Sequence, residues 1–219
     1  MILRVRDLEK MPYGQALELQ RDLHARRVAD EIEDTLLLVE HPPVITMGRT
    51  GKAGDILAEP DFLRKQGVEI HTIERGGEAT YHGPGQIVGY LIVKFPGRLD
   101  VRTFVDGVEE VFIRLLDREY GINAQRVREH RGVWVTDEKI TALGIALRDG
   151  VSFHGFAFNV NTNLEHFNWI VPCGITDRGV TSLQKLTGRK QDMEQLKANV
   201  VNYICEVFEY QREELPHTK

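Results

Sequence analysis

Residues 75–86 read RGGEATYHGPGQ, with glycines at 76, 77, 83 and 85 around Thr80, Tyr81 and His82. A plain turn needs one or two glycines, because only glycine takes positive φ without steric cost. This density fits a loop that something approaches closely, its N–H groups lining a pocket for a carbonyl or a long apolar ligand. The other reading is an elaborate hairpin connection with no ligand. The stretch is not a Walker loop, since no Gly-Lys-Ser/Thr follows it. Nor is it a dinucleotide loop: GxGxxG is absent, and the pattern after it is that of a strand, not a helix.

A second chemical candidate is Cys173, set between Pro172 and Gly174 in IVPCGITDRG, a segment without hydrophobic periodicity. Cys205, in VVNYICEVF, falls on the apolar face of a helix and reads as core. Loops carry a disproportionate share of catalytic groups, so Cys173 is the thiol to consider as a nucleophile, against the alternative of an idle loop cysteine. A free thiol near pKa 8.5 is only a few per cent ionised at neutral pH, and bringing it to about 7 takes roughly 2 kcal/mol. A nearby cation is one source. Lys139 opens KITALGIAL beside a turn, where most lysines are simply solvated, and the spacing alone does not pair it with Cys173. His82 and His154 each precede a glycine, which leaves room for a substrate. No metal is expected: the eight histidines show no HExxH, and there is no CxxC.

The bulk numbers set the frame. With 219 residues, 42% hydrophobic and 28% charged, the chain is long enough to bury a sizeable core, and one domain over 1–219 is expected. A net charge of −5 gives no global reason to bind nucleic acid. No apolar run reaches membrane-spanning length, the richest being IVGYLIV at 87–93, and Arg4, Arg6 and Asp7 interrupt any signal-like start. Two cysteines are too few for a disulfide framework. A cytoplasmic protein is expected, with no membrane partner.

The elements that must hold these groups follow from periodicity. Pro12 opens a helix running to about Val28, Asp61–Gln66 forms a short one closed by Gly67, and Val101–Tyr120 a long one stopped by Gly121. A last amphipathic helix spans Met193–Tyr210. TLLLVEH, VITMG, VEIHTIER, IVGYLIVKF, AQRVRE, GVWVT, KITALGIAL and SFHGFAFNVN read as strands, with hairpin turns at 136–139 and 148–151. Residues 161–179 are irregular. Strands run consecutively in places and are separated by helices in others, which predicts an α+β fold: a mixed, largely antiparallel sheet flanked by helices.

Taken in order, RGGEATYHGPGQ, GVWV, KITALG, SFHGFAFNVN and PCGITDRGVTSL resemble the lipoyl(octanoyl) transferase family, over nearly the whole chain from about Leu36. The resemblance implies the fold shared by lipoate– and biotin–protein ligases, and a single acyltransferase domain with no cofactor. It implies transfer of an octanoyl group from octanoyl-acyl carrier protein to a lysine of apo lipoyl domains, those of 2-oxoacid dehydrogenase E2 subunits and the glycine cleavage H protein. The acyl-accepting cysteine falls on Cys173 and the family's lysine on Lys139. The substrate surface falls on Arg75, Gly76, Gly77, Glu78, Ala79, Thr80, Tyr81 and His82, on Ala142, Leu143 and Gly144, and on Gly155, Phe156 and Ala157.

On that reading Lys139 stabilises the Cys173 thiolate and shuttles protons, and the N–H groups of 142–144 face the oxyanion. Tyr81 walls a tunnel for the acyl tail, and His82 either orients the thioester carbonyl or holds the loop. Arg49, Arg75, Arg148 and Arg178 are expected to form a basic rim for acidic carriers. The rivals are an ATP-dependent lipoate or octanoate ligase of the same fold, a non-catalytic module that binds acyl carriers or lipoyl domains, and a cysteine hydrolase.

Overall fold

The computed structural model describes residues 1–95, 100–127, 129–171 and 178–214. Its main sheet is built from β1 (Ile2–Lys10), β2 (Asp34–Glu40), β6 (Gln86–Ile92), β7 (Gln125–Val127), β8 (His130–Val135), β9 (Glu138–Arg148), β10 (Val151–Asn159), β11 (Gly179–Val180) and β12 (Gln211–Glu214). The spatial order is β12-β1-β2-β6-β10-β9-β8-β7, with β11 laid beside β9. The run from β2 to β7 is antiparallel throughout, while β1 pairs in parallel with both β2 and β12. A smaller sheet, β4-β3-β5, uses Val44–Met47 (β3), Glu69–Thr72 (β4) and Ala79–His82 (β5). The expected mixed, mainly antiparallel α+β fold is what forms.

Helices cover the main sheet unequally. On one face α3 (Val101–Tyr120) and α5 (Met193–Phe208) pack Val108, Phe112, Leu116, Val200 and Ile204 against Leu36, Leu91, Phe156 and Phe158. Gly121, at φ 64°, stops α3 in the left-handed conformation glycine favours. Asp192 caps α5 by accepting bonds from the N–H groups of Glu194 and Gln195. On the other face α1 (Tyr13–Val28) lays Tyr13, Ala16, Leu17 and Leu23 over Leu37, Val39, Tyr90 and Phe153. The small sheet forms a third cluster, where Ile45, Ala79 and Tyr81 meet Leu63 of α2 (Pro60–Lys65) and Phe167 of a short 3-10 helix, Leu164–Trp169.

One strand went unread from the sequence, and three expectations need correction. The unread strand is β1, Ile2–Lys10, with Leu3, Val5 and Leu8 buried. Residues 79–82, read as part of a glycine loop, are a strand with all four residues buried. Strand β4 is only four residues long and mostly exposed, shorter than VEIHTIER suggested. Pro12 sits just before α1, at its N-cap, rather than inside its first turn. The turns hold: Asp149 and Gly150 both take positive φ, as a tight β9–β10 hairpin requires.

Candidate active site

A cavity lies between the main sheet and the layer formed by the small sheet and α1. Its floor is the β9–β10 pair, where Gly144 faces Gly155 and Ala142 faces Ala157. Thr80 and His82 of β5, Val88 and Tyr90 of β6, Tyr13 and Arg75 complete much of the wall. It leaves about 40 Å³ for water centres, room for two or three molecules. An adjoining cavity shares Thr80, Ala142 and Ala157 and is lined further by Lys139, Trp134, Arg178 and Asn159. The two spaces therefore meet along one stretch of sheet.

Small residues make this space. A Cβ on Gly144 would lie 2.7 Å from Arg75 Cδ, and one on Gly155 would collide with the backbone oxygen of Gly89. Arg75 is held across the cavity by donating Nη2 to the Thr46 carbonyl at 2.6 Å and to Thr46 Oγ1 at 3.0 Å, while Nη1 donates to the Gly76 carbonyl at 2.9 Å. Its charge sits beside two buried histidines, His82 and His154, and the phenols of Tyr13 and Tyr90. Burial moves all of these toward the neutral form. The imidazoles of His82 and His154 are pushed down to about 3 and that of His41 to about 4, while the phenols of Tyr13 and Tyr90 are pushed up. His82 Nδ1 meets Gln86 Oε1 at 2.8 Å, and Gln86 in turn donates to Asn159 Oδ1 at 2.9 Å. His41 bridges the Met11 carbonyl at 2.7 Å and the Tyr90 hydroxyl at 2.6 Å.

Lys139 enters from β9, only 7% exposed, with Nζ 4.9 Å from the centre of the Trp134 ring. The Arg178 guanidinium lies 5.5 Å from the same ring, so two cations share one aromatic face region. Cys173 lies outside the described residues. Among the described residues, no three His, Cys, Asp or Glu side chains gather as metal ligands would.

Of the residues expected from sequence, Arg75, Thr80, His82, 142–144 and 155–157 line one cavity, and Lys139 lines its neighbour. Alternation along β5 separates the rest: Thr80 and His82 face the cavity, while Ala79 and Tyr81 point into the core of the small sheet. Tyr81 does not wall the cavity. It is 1% exposed, and its hydroxyl meets His166 Nδ1 at 2.7 Å. Gly76, Gly77 and Glu78 form a turn against residues 48–50, where the Gly48 N–H donates to the Glu78 carbonyl at 3.1 Å and the Arg49 N–H to the Arg75 carbonyl at 3.0 Å. Tyr13, Tyr90, Trp134 and Asn159 were not anticipated, because their positions depend on which elements stack. His154 carried a signal, a histidine before a glycine in a strand.

Comparison with known proteins decides the family. Residues 12–205 match the model of the lipoyl protein ligase A/B catalytic domain. An octanoyltransferase of Caldicellulosiruptor saccharolyticus is 54% identical over 211 residues, 95% of this chain and 89% of that protein. One of Desulforamulus reducens is 49% identical over 214 residues, 97% of this chain and 94% of that protein. The chain belongs to the lipoyl protein ligase A/B catalytic-domain family. Its fold is that of the bipartite lipoate protein ligase of Thermoplasma acidophilum, TM-score 0.75 at 18% identity, with 99% of this chain and 88% of that one covered.

Within this family member the four arginines expected to form one basic rim are dispersed. Arg49 and Arg148 line a groove beside α1 together with Arg21, Glu74 and Asp149, whereas Arg178 borders the Lys139 cavity and Arg75 is buried. Arg178 and Arg148 also have carboxylates nearby, Asp137 at 3.4 Å and Asp149 at 3.5 Å. No helix among the described residues is long and apolar enough to cross a membrane.

Proposed function

We propose that the chain transfers an octanoyl group from octanoyl-acyl carrier protein to a lysine of apo lipoyl domains through a thioester on Cys173, with Lys139 as its proton carrier. Octanoyl transfer in protein lipoylation rests on the near relatives, which match almost the whole chain at about half identity. The observation that carries the mechanism is the junction of the Lys139 cavity with the glycine-floored cavity through Thr80, Ala142 and Ala157. A cation and a glycine-floored slot then share one opening. The whole chain acts as one catalytic domain, a reading supported by a sheet that draws β1 and β12 from its two ends.

The Cys173 thiolate attacks the carbonyl carbon of the carrier thioester, and the carrier thiol leaves with a proton from Lys139. Thioester is exchanged for thioester, so the step is nearly balanced and no nucleotide is needed. The acceptor lysine then attacks as an amine, the Cys173 thiolate leaves, and the released proton returns to Lys139. An amide replaces a thioester, which makes this step downhill. Burial of the tail at about 0.8 kcal/mol per methylene contributes several kcal/mol to donor binding. Carrier and lipoyl domain are the partners on this reading, and the reducing cytoplasm, which keeps Cys173 a thiol, is the compartment.

Intact mass after mixing with octanoyl-acyl carrier protein tests it. One added octanoyl group, absent in Cys173→Ser and discharged by apo lipoyl domain, is expected. No adduct, with octanoylation that requires ATP and free acid, would make the chain a ligase instead.

A further inference from the structure

His154 departs from the strand that carries it. It sits inside β10 with φ 63°, a conformation that costs a non-glycine residue about 1 kcal/mol or more. In a regular strand successive side chains point to opposite faces, so His154 would join Phe156 and Phe158 in the core beneath α3. Instead its ring lies 4.2 Å from that of its neighbour Phe153, which belongs to the opposite core. The left-handed backbone swings the imidazole onto the cavity face. There it is 2% exposed, and Nε2 has no hydrogen-bond partner among the described residues. Glycine would take this φ freely, and the next residue is already Gly155; an imidazole kept at a strained position points to work done by the side chain.

Its place along the sheet says what work. Lys139 lines the neighbouring cavity, three residues before Ala142 on β9, and the Ala142–Ala157 rung is where that cavity opens into the glycine-floored one. Gly144 and Gly155 pair two residues further along, and His154 pairs with Ile145 one residue beyond that. Three residues of strand span about 10 Å. A fully extended backbone advances about 1.2 Å per bond, so the seven carbon–carbon bonds of an octanoyl chain reach about 8 Å. Two more methylenes add about 2.4 Å by the same measure.

We propose that His154 is the end stop of the acyl slot, the residue that limits the transferred chain to about eight carbons. The inference rests on the acyl-enzyme reading, with the tail running from the Lys139 end over Gly144 and Gly155. The ring is backed by Phe153 and cannot retreat without disturbing that core. A ring held neutral by burial and by the nearby Arg75 and Arg21 charges presents an uncharged wall to a terminal methyl.

The test measures kcat/KM with hexanoyl-, octanoyl-, decanoyl- and dodecanoyl-carrier donors for the wild type, His154→Gly and His154→Asn. Asparagine is included because it also accepts left-handed φ, so at least one variant keeps the backbone. Wild type is expected to fall at least 10-fold between octanoyl and decanoyl. In His154→Gly the decanoyl-to-octanoyl ratio is expected to rise at least 10-fold, with His154→Asn in between and thermal stability not reduced in the glycine variant. A folded variant that forms the octanoyl adduct with an unchanged length profile would overturn the end stop and leave the acyl-enzyme standing. Absence of any adduct in the wild type would overturn both.

Discussion

Lys139 Nζ stands 4.9 Å from the centre of the Trp134 ring, and the ring is itself pinned by donating Nε1–H to the His130 carbonyl at 3.0 Å. Trp134 is 1% exposed, so the ammonium rests on a desolvated aromatic surface, where such contacts are worth up to about 2 kcal/mol. Trp134 is thus a positioning residue for Lys139. Trp134→Leu keeps an apolar filler but removes the π-face. The expected outcome is a kcat for octanoyl transfer down about 10-fold with donor KM changed less than about 2-fold. Lys139→Met, which removes the proposed proton carrier, should cost about 10²–10⁴ in kcat. Equal effects of Trp134→Leu on kcat and KM would assign the ring to donor binding instead.

Two glycines on one rung should respond differently to alanine. At Gly144 the new methyl meets Arg75 Cδ, part of a side chain that can shift, although its Nη2 bond to Thr46 resists. Gly144→Ala is expected to fold, with donor kcat/KM reduced at least 10-fold. At Gly155 the methyl meets the Gly89 carbonyl, a backbone atom fixed in the β6–β10 ladder. Gly155→Ala is expected to lose several kcal/mol of stability and fail to accumulate in folded form. Circular dichroism melts of the purified variants, read beside donor kinetics, check both; a stable and fully active Gly144→Ala would remove Arg75 from the slot.

Tyr81 supplies a test in the opposite direction. Its ring packs edge-on against Phe167 and Trp169, and its hydroxyl meets His166. Tyr81→Phe removes one buried hydrogen bond and keeps the ring. Stability is expected to fall by about 1–2 kcal/mol in urea unfolding, with kcat and donor KM unchanged. A shift in chain-length preference in this variant would return Tyr81 to the acyl slot.

Local pattern and tertiary stacking explain what the sequence disclosed. Helix α3 was legible because Phe104, Val108, Val111, Phe112 and Leu115 repeat at helical spacing and Gly121 ends it. The β9–β10 hairpin was legible from Asp149-Gly150 between two apolar runs. That Lys139 and the two glycine-bearing segments belong to one site is what the motif resemblance implies; in the fold the segments line one cavity and Lys139 the adjoining one. Strand β5 was hidden because its pairing partner, β3, lies more than thirty residues upstream and glycines flank it on both sides. For the same reason Tyr81 looked like a pocket wall: which face of a strand is wet depends on the sheet opposite, not on its own residues. Likewise, nothing local says that Tyr13 of α1 comes to lie near parallel to the His82 ring, 6.3 Å away.

The buried imidazoles give the last expectation. His41, His82 and His154 are 1%, 8% and 2% exposed, and burial is the first cause that holds His41 down to about 4 and the other two to about 3. In the unfolded chain each titrates near 6.5. Between these values the unfolded state binds protons that the folded state refuses, so the stabilising contribution is intact above about pH 6.5 and is lost as pH falls toward 4 and then 3. Each group contributes a slope of up to about 1.4 kcal/mol per pH unit, and the three together about 4. Urea midpoints measured from pH 7.5 down to 5 should therefore drop steeply below pH 6.5. His41→Gln sacrifices a bridge between Met11 and Tyr90 and so lowers stability at every pH, but its slope between pH 6 and 5 should be about one third shallower than wild type. An identical slope in the variant would mean that His41 takes up its proton within the fold.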